Sequence, residues 1–191
     1  MDKMKFWLVL FGSFIILWVL GPSAEEREQK RLEAIKIFEA EQAANSPEPA
    51  ALPEDPKRPV EFPKENIRIQ TSRGALPLVA GMARTPFLRR QGLMHYTSWP
   101  EGIHGVLFYF DKNAVISMWM KNTHLPLDMV FMDEKGYIRH IAKNTEPFSE
   151  DIIRSTVAVR AVFEIPAGSA DKWQISLGDQ FLHPLFQPSQ P

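Results

Sequence analysis

Fifteen consecutive residues without a charge, Phe6 to Leu20, stand almost at the start of the chain, and no other feature constrains it as much. As a helix rising about 1.5 Å per residue they reach roughly 22 Å, short of a hydrocarbon core of roughly 30 Å. That shortfall suits the apolar core of a signal peptide. The flanks favour an uncleaved anchor instead. Gly21-Pro22-Ser23-Ala24 offers no small-x-small cleavage site clear of proline, and Trp7 and Trp18 stand near the two ends as interfacial anchors do. Adding Met4, Lys5 and Gly21 lengthens the membrane-contacting stretch to residues 4–21. Lys3 and Lys5 precede the segment while Glu25 and Glu26 follow it, so either reading keeps the N-terminus cytoplasmic and exports the rest. An anchor holds the remainder on the cell membrane, on its periplasmic or extracellular side. Cleavage after the segment, within residues 1–22, releases it to the periplasm.

The exported part must fold without covalent or metal-thiolate staples, because the chain has no cysteine. Disulfides, thiolate zinc sites, iron–sulfur ligation and a cysteine nucleophile are excluded together. Lysine and arginine number 22 against 23 acidic residues, so there is no overall basic field for phosphate backbones, and nucleic acid is not an expected partner.

Two connecting segments separate the apolar start from the rest. Residues 23–44 open with Ser23 and Glu26 in capping-box spacing and run on in helix-forming residues, which predicts a charged helical spacer. Leu32, Ile35 and Phe38 make an apolar stripe too thin for a core. Residues 45–65 carry six prolines, which forbid a regular helix and favour an extended, semi-stiff linker.

From residue 66 to 191 the texture changes to short β-rich runs between turn residues, the length of one domain. Strands are predicted over 67–71, 76–82, 105–110, 115–121, 127–132, 137–143 and 156–165, with 180–186 closing the domain. Thr85-Pro86 opens a short helix, threonine as cap and proline at the first helical position. Hairpin-length connections predict a mainly β domain, an antiparallel sandwich or barrel with one or two short helices; a mixed α+β roll is the alternative.

Within this region, Gly92-Leu93-Met94, Gly105-Val106-Leu107-Phe108-Tyr109-Phe110, and Trp119-Met120-Lys121-Asn122-Thr123 with Leu125-Pro126-Leu127-Asp128 fall in characteristic order. Gly136-Tyr137-Ile138, Asn144 with Pro147, Val162-Phe163-Glu164-Ile165-Pro166-Ala167-Gly168 and Gly178-Asp179 come after them. Residues 66–186 thereby resemble the domain of unknown function 192 family. The resemblance implies a β-sandwich-like fold, often exported or membrane-tethered, with no established activity. The chain departs from the family pattern at Met118, where an aromatic is usual, at Phe87 and Leu88, where acids are common before Arg89, and at His124.

Strand alternation over 115–121 puts Ser117, Trp119 and Lys121 on one face and Ile116, Met118 and Met120 on the other, where the methionines fill a core. An aromatic and a cation then share a strand end, followed by the Asn122-Thr123 turn, an arrangement suited to a ligand mouth. The competing reading is that Asn122 and Asp128 only satisfy backbone donors around Pro126, as turn residues commonly do. Glu164 lies in an apolar strand, where a carboxylate is costly unless paired or protonated. Arg89 and Lys121 are the expected partners, with Arg89, Lys121, Asp128 and Glu164 converging on one concave site.

Three functions compete. The first is an envelope binding module in which Arg89, Trp119, Lys121, Asn122, Thr123, Asp128 and Glu164 hold a small polar ligand, a glycan or a peptide. The second is a cofactor-free hydrolase or lyase using Glu164, Asp128 and Lys121, which demands two carboxyl groups of divergent acidity facing one cavity. The third is Cu(I) binding by Met118, Met120 and His124, although methionines in a strand more often fill a core. No phosphate loop, nucleophile elbow or dinucleotide fingerprint is present, so no cofactor is expected.

Overall fold

The computed structural model describes residues 23–44 and 59–186. The apolar segment, most of the proline-rich linker and the last five residues lie outside them, and with them the expected membrane contact. No helix among the described residues is long and apolar enough to cross a membrane.

Helix α1 spans Ala24–Ala44. Its start is the reciprocal capping box read from the sequence: Glu26 N–H donates to Ser23 Oγ at 3.1 Å, and Ser23 N–H to Glu26 Oε2 at 2.8 Å.

The domain is built from β1 (Lys64–Thr71), β2 (Gly74–Ala83), α2 (Pro86–Gln91), β3 (Gly105–Ala114), β4 (Ser117–Met118), β5 (Leu127–Met132), β6 (Ile138–Thr145), β7 (Ile153–Arg154), β8 (Val159–Pro166), α3 (Ser169–Lys172), β9 (Gln180–Leu182) and a 3₁₀ turn at Pro184–Phe186. Seven strands form one sheet in the order β6-β5-β8-β3-β2-β1-β9, and β4 pairs with β7 in a separate two-stranded ribbon. The edges approach each other, with a single bridge between Tyr137 and Gln180, but no ladder closes them into a barrel.

This corrects the all-antiparallel expectation: β2 and β3 run parallel, Ala80 to Ala83 beside Gly105 to Phe108. A parallel pair needs a crossover, and the segment between Ala83 and Gly105 supplies it, with α2 inside. Thr85 caps that helix by accepting from Leu88 N–H at 3.2 Å, and Pro86 opens it. The helix foreseen at Thr85-Pro86 is thus the crossover, not an insertion in a hairpin.

A second correction concerns residues 115–121. Only Ser117 and Met118 pair as a strand, with Arg154 and Ile153. The chain here leaves the end of β3 and travels back across the sheet to reach β5, so its hydrogen-bonding edge is not in the main ladder. The apolar face keeps its burial without the strand, Ile116, Met118 and Met120 being buried; on the opposite face Trp119 and Lys121 are half-buried, but Ser117 is buried as well, so the expected alternation is broken there.

Alternation along the strands gives the sheet two apolar faces. Face one carries Ile69, Leu107, Val130, Phe163, Ile165 and Phe181 and is joined by Ala170 of α3. Face two carries Val106, Phe108, Leu127, Met129, Phe131 and Val162 and is covered by Leu93, Ile103, Ile116, Met118 and Met120 from the connections. Burial on both faces explains why β5 is buried at all six positions rather than at alternate ones.

Candidate functional site

The turn after the crossing segment is held by three neighbouring stretches of backbone. Thr123 N–H donates to Met120 C=O at 3.0 Å, His95 N–H to Asn122 C=O at 2.9 Å, and Phe148 N–H to Thr123 C=O at 3.1 Å. Met120 N–H donates to Ser149 C=O at 3.0 Å, and Ala167 N–H to Pro126 C=O at 3.1 Å. The Thr145 hydroxyl accepts from Leu127 N–H at 3.3 Å and lies 3.2 Å from Met120 Sδ.

These stretches hold backbone in the left-handed region. His95, Asn122, Asn144 and Phe148 have φ of 66°, 56°, 51° and 62°. Asparagine and histidine are the types met most often in this conformation, whereas phenylalanine adopts it only where its surroundings impose it. The side chains presented are a cation and aromatics. Lys121 Nζ stands 4.6 Å from the Trp119 ring centroid, within cation–π range. The exposed rings of His124 and Phe148 meet edge to face at 4.7 Å. Asn122 is exposed and Thr123 buried.

Glu164 is 4% exposed. It pairs with Val106 on β3 and Met129 on β5, which places it on face two, one row in from the Leu127–Pro166 pair where the turn enters β5. Burial alone pushes its carboxyl up to about 8, so the carboxylic acid is the resting form at neutral pH. The ion pair expected with Arg89 or Lys121 does not form. Arg89 Nη1 donates to the carbonyls of Arg84, at 2.5 Å, and Tyr109, at 2.9 Å, while Nη2 reaches Asp111 at 3.5 Å. Burial lowers its guanidinium pKa against the pull of Asp111. These contacts lie at Tyr109 and Asp111, about 10 Å or more along β3 from the Val106–Glu164 pair at 3.3 Å per residue.

Asp128 lies opposite Ile165, hence on face one, and is fully buried. Its Oδ1 accepts from Asn144 N–H at 2.8 Å and its Oδ2 from Ala170 N–H at 2.9 Å. The second bond caps α3, whose own N-cap residue, Gly168, has no side chain to do so. The four residues expected to converge therefore divide. Asp128 serves backbone on one face, Arg89 braces the far end of β3, and Lys121 with its turn and Glu164 remain at one end of face two.

Sequence reasoning missed His95, Asn144 and Phe148. Asn144 and, more weakly, His95 are residue types that favour left-handed backbone; Phe148 is set by its bond to Thr123, a residue distant in sequence. A shallow depression of about 330 Å³ lined by His140, Ile141, Lys143, Ile175, Ser176 and Leu177 contains none of the residues chosen from the sequence.

The sequence profile of DUF192, described as "Uncharacterized ACR", matches residues 68–183. Two crystal structures share the fold. One is a Sinorhizobium meliloti 1021 protein provisionally designated a transcription regulator, with a TM-score of 0.61, 40% identity, and coverage of 65% of this chain and 97% of that one. The other is a protein of unknown function from Novosphingobium aromaticivorans DSM 12444, with a TM-score of 0.61, 26% identity, and coverage of 74% and 96%. No curated protein matches.

Proposed function

The chain belongs to the DUF192 family, and we propose that its domain is a binding module, displayed outside the cytoplasmic membrane by the N-terminal anchor, for a small polar ligand, a glycan or a peptide of the cell envelope. The observation that carries this is the turn at residues 119–124: a lysine stacked on an indole, beside a left-handed asparagine, braced from two other loops. Left-handed backbone that the surroundings impose, as at Phe148 in the loop that braces this turn, is a device for fixing side chains in advance of a ligand. An aromatic face with an ammonium at its edge suits the apolar face and the oxygens of a sugar, or a peptide's carbonyls and carboxylate.

The other readings draw less support. A hydrolase or lyase needs Glu164 and Asp128 to face one cavity, and they lie on opposite faces of the sheet. Met118 and Met120 are core residues, Met120 with its sulfur against Thr145, which leaves His124 without the soft ligands Cu(I) prefers. A net charge of −1 gives the regulator designation of the Sinorhizobium protein no electrostatic footing for DNA here.

The test is a thermal-shift screen of the full chain in detergent against envelope glycans and peptides, repeated with Lys121→Ala and Glu164→Gln. Ligand at about a hundred times its Kd adds roughly 2.7 kcal/mol, a shift of several degrees. The reading predicts a hit that Lys121→Ala abolishes; a hit indifferent to Lys121 moves the site elsewhere. A reporter fused after Pro191 and active only in the cytosol removes the export half of the proposal.

A further inference from the structure

His183, remote in sequence from the turn at Trp119, has both ring nitrogens committed. It is 8% exposed and comes directly after β9. Leu185 N–H donates to its Nδ1 at 3.3 Å, so Nδ1 carries the lone pair and the proton sits on Nε2. Nε2–H then points at Glu65 Oε2, 3.0 Å away near the start of β1. The same oxygen accepts from Arg84 Nη2 at 2.8 Å, just past β2. Glu65 and Arg84 are the charged groups facing the ring from β1 and β2, and the turn it holds, Pro184-Leu185-Phe186, has no titratable side chain.

That turn is a closure of face one. Phe186 is buried, its ring edge-on to Tyr109 at 5.9 Å and to Phe181 at 6.0 Å. Leu185 C=O accepts from the Tyr109 hydroxyl at 2.9 Å, and the same hydroxyl lies 3.2 Å from Arg160 Nε. A chain of polar contacts therefore runs from Arg84 and Glu65 through His183 and the turn to Tyr109 and Arg160.

We propose that His183 is a proton-operated latch on the C-terminal turn: proton uptake at Nδ1 removes the acceptor used by Leu185 N–H and frees residues 184–186 from the Tyr109–Phe181 surface. The exchange is simple in its balance, since one proton from solvent replaces the Leu185 N–H on the nitrogen lone pair. Burial lowers the imidazole below its ordinary value despite the opposing pull of Glu65, and Arg84 adds to the lowering, so the neutral, latched form holds at neutral pH. The folded, latched state binds the proton less readily than a free imidazole, so the latch is complete above the ordinary histidine range and is lost as pH falls below it.

The experiment is amide hydrogen exchange of the full chain in detergent between about pH 7.5 and pH 5, the range in which histidine changes charge, corrected for the intrinsic chemistry of exchange. Protection of the Leu185 and Phe186 amides should fall on the order of tenfold at the lower pH, as the loss of one hydrogen bond supports. His183→Asn keeps an acceptor oxygen near the Nδ1 position and does not titrate, so its turn should stay protected throughout. A wild-type turn equally protected at both ends of the range overturns the proposal, as does a His183→Asn turn that opens in parallel. Ring ¹⁵N shifts of His183 in the wild type give a check independent of any variant: Nδ1 must change to its protonated shift in step with the loss of protection, and an out-of-step change also overturns it.

Discussion

Each face of the sheet buries one carboxyl group, and the two are treated in opposite ways. On face one, Asp128 has both oxygens filled by backbone N–H groups that have no ladder partner of their own. On face two, Glu164 sits between Val106 and Met129, residues whose own N–H and C=O groups belong to the sheet, and its acidity responds to burial alone. The difference teaches that depth does not decide what a buried carboxyl becomes; the supply of donors does. Asp128 stands where a strand end and a helix start leave N–H groups over, and it organises both. Glu164 stands mid-ladder, where none are left over, and keeps its proton.

The sharpest way to break this comparison is to vary pH. The Glu164 carboxyl ionises near 4.5 when unfolded and about 8 when folded. Between those values the folded chain holds a proton that the unfolded chain has released. Its contribution is therefore full below the lower value and lost as pH rises to the upper one, at about 1.4 kcal/mol per pH unit. Glu164→Gln is neutral at every pH and removes that slope. Urea unfolding at pH 5 and pH 8 should show the variant gaining about 3 kcal/mol or more on the wild type at the higher pH and little at the lower. Parallel pH profiles would mean that Glu164 has a donor after all and that the two faces are alike.

Removing the other carboxyl should act in the opposite direction. Asp128→Ala leaves the buried N–H of Ala170 without an acceptor, at about 1–3 kcal/mol, and the part-buried N–H of Asn144 as well, at a smaller cost because water can reach it. A loss of about 3 kcal/mol in urea unfolding at pH 7 is expected, with the α3 amides losing hydrogen-exchange protection first. A loss below about 1 kcal/mol would make Asp128 a passenger.

How much of this was legible in the sequence depends on the range of each interaction. The capping box at Ser23 and the cap at Thr85 are complete within four residues, so their patterns could be read directly. The cost of Glu164 was legible from its apolar neighbours, but not that the structure would meet it by protonation rather than by Arg89 or Lys121. Asp128 answers to Ala170, 42 residues on, and nothing near either residue announces the pairing. The direction of β3 was hidden for a related reason: whether two strands run parallel depends on the path of the chain between them, and the crossover at residues 84–104 reads locally as a helix and loops. Residues 115–121 misled because apolar residues at every second position, here Ile116, Met118 and Met120, serve a segment laid across a sheet face as well as a strand.

The two faces also cap their short helices differently, and this supports the smallest prediction. α2, whose Leu88 packs on face two, is capped from within by the Thr85 hydroxyl, 3.2 Å from Leu88 N. α3, on face one, begins at Gly168 and borrows its acceptor from Asp128 on β5. A local cap is an exposed bond that water can partly replace, and the loss of such a residue typically costs about 1 kcal/mol. A borrowed cap is buried, and its loss leaves the helix start dry. Thr85→Ala should therefore cost about 1 kcal/mol in urea unfolding at pH 7, clearly less than Asp128→Ala, although each substitution removes the acceptor at one helix start. Equal losses would show that the site of the acceptor, local or borrowed, does not matter, and that the contrast between the faces rests on Glu164 alone.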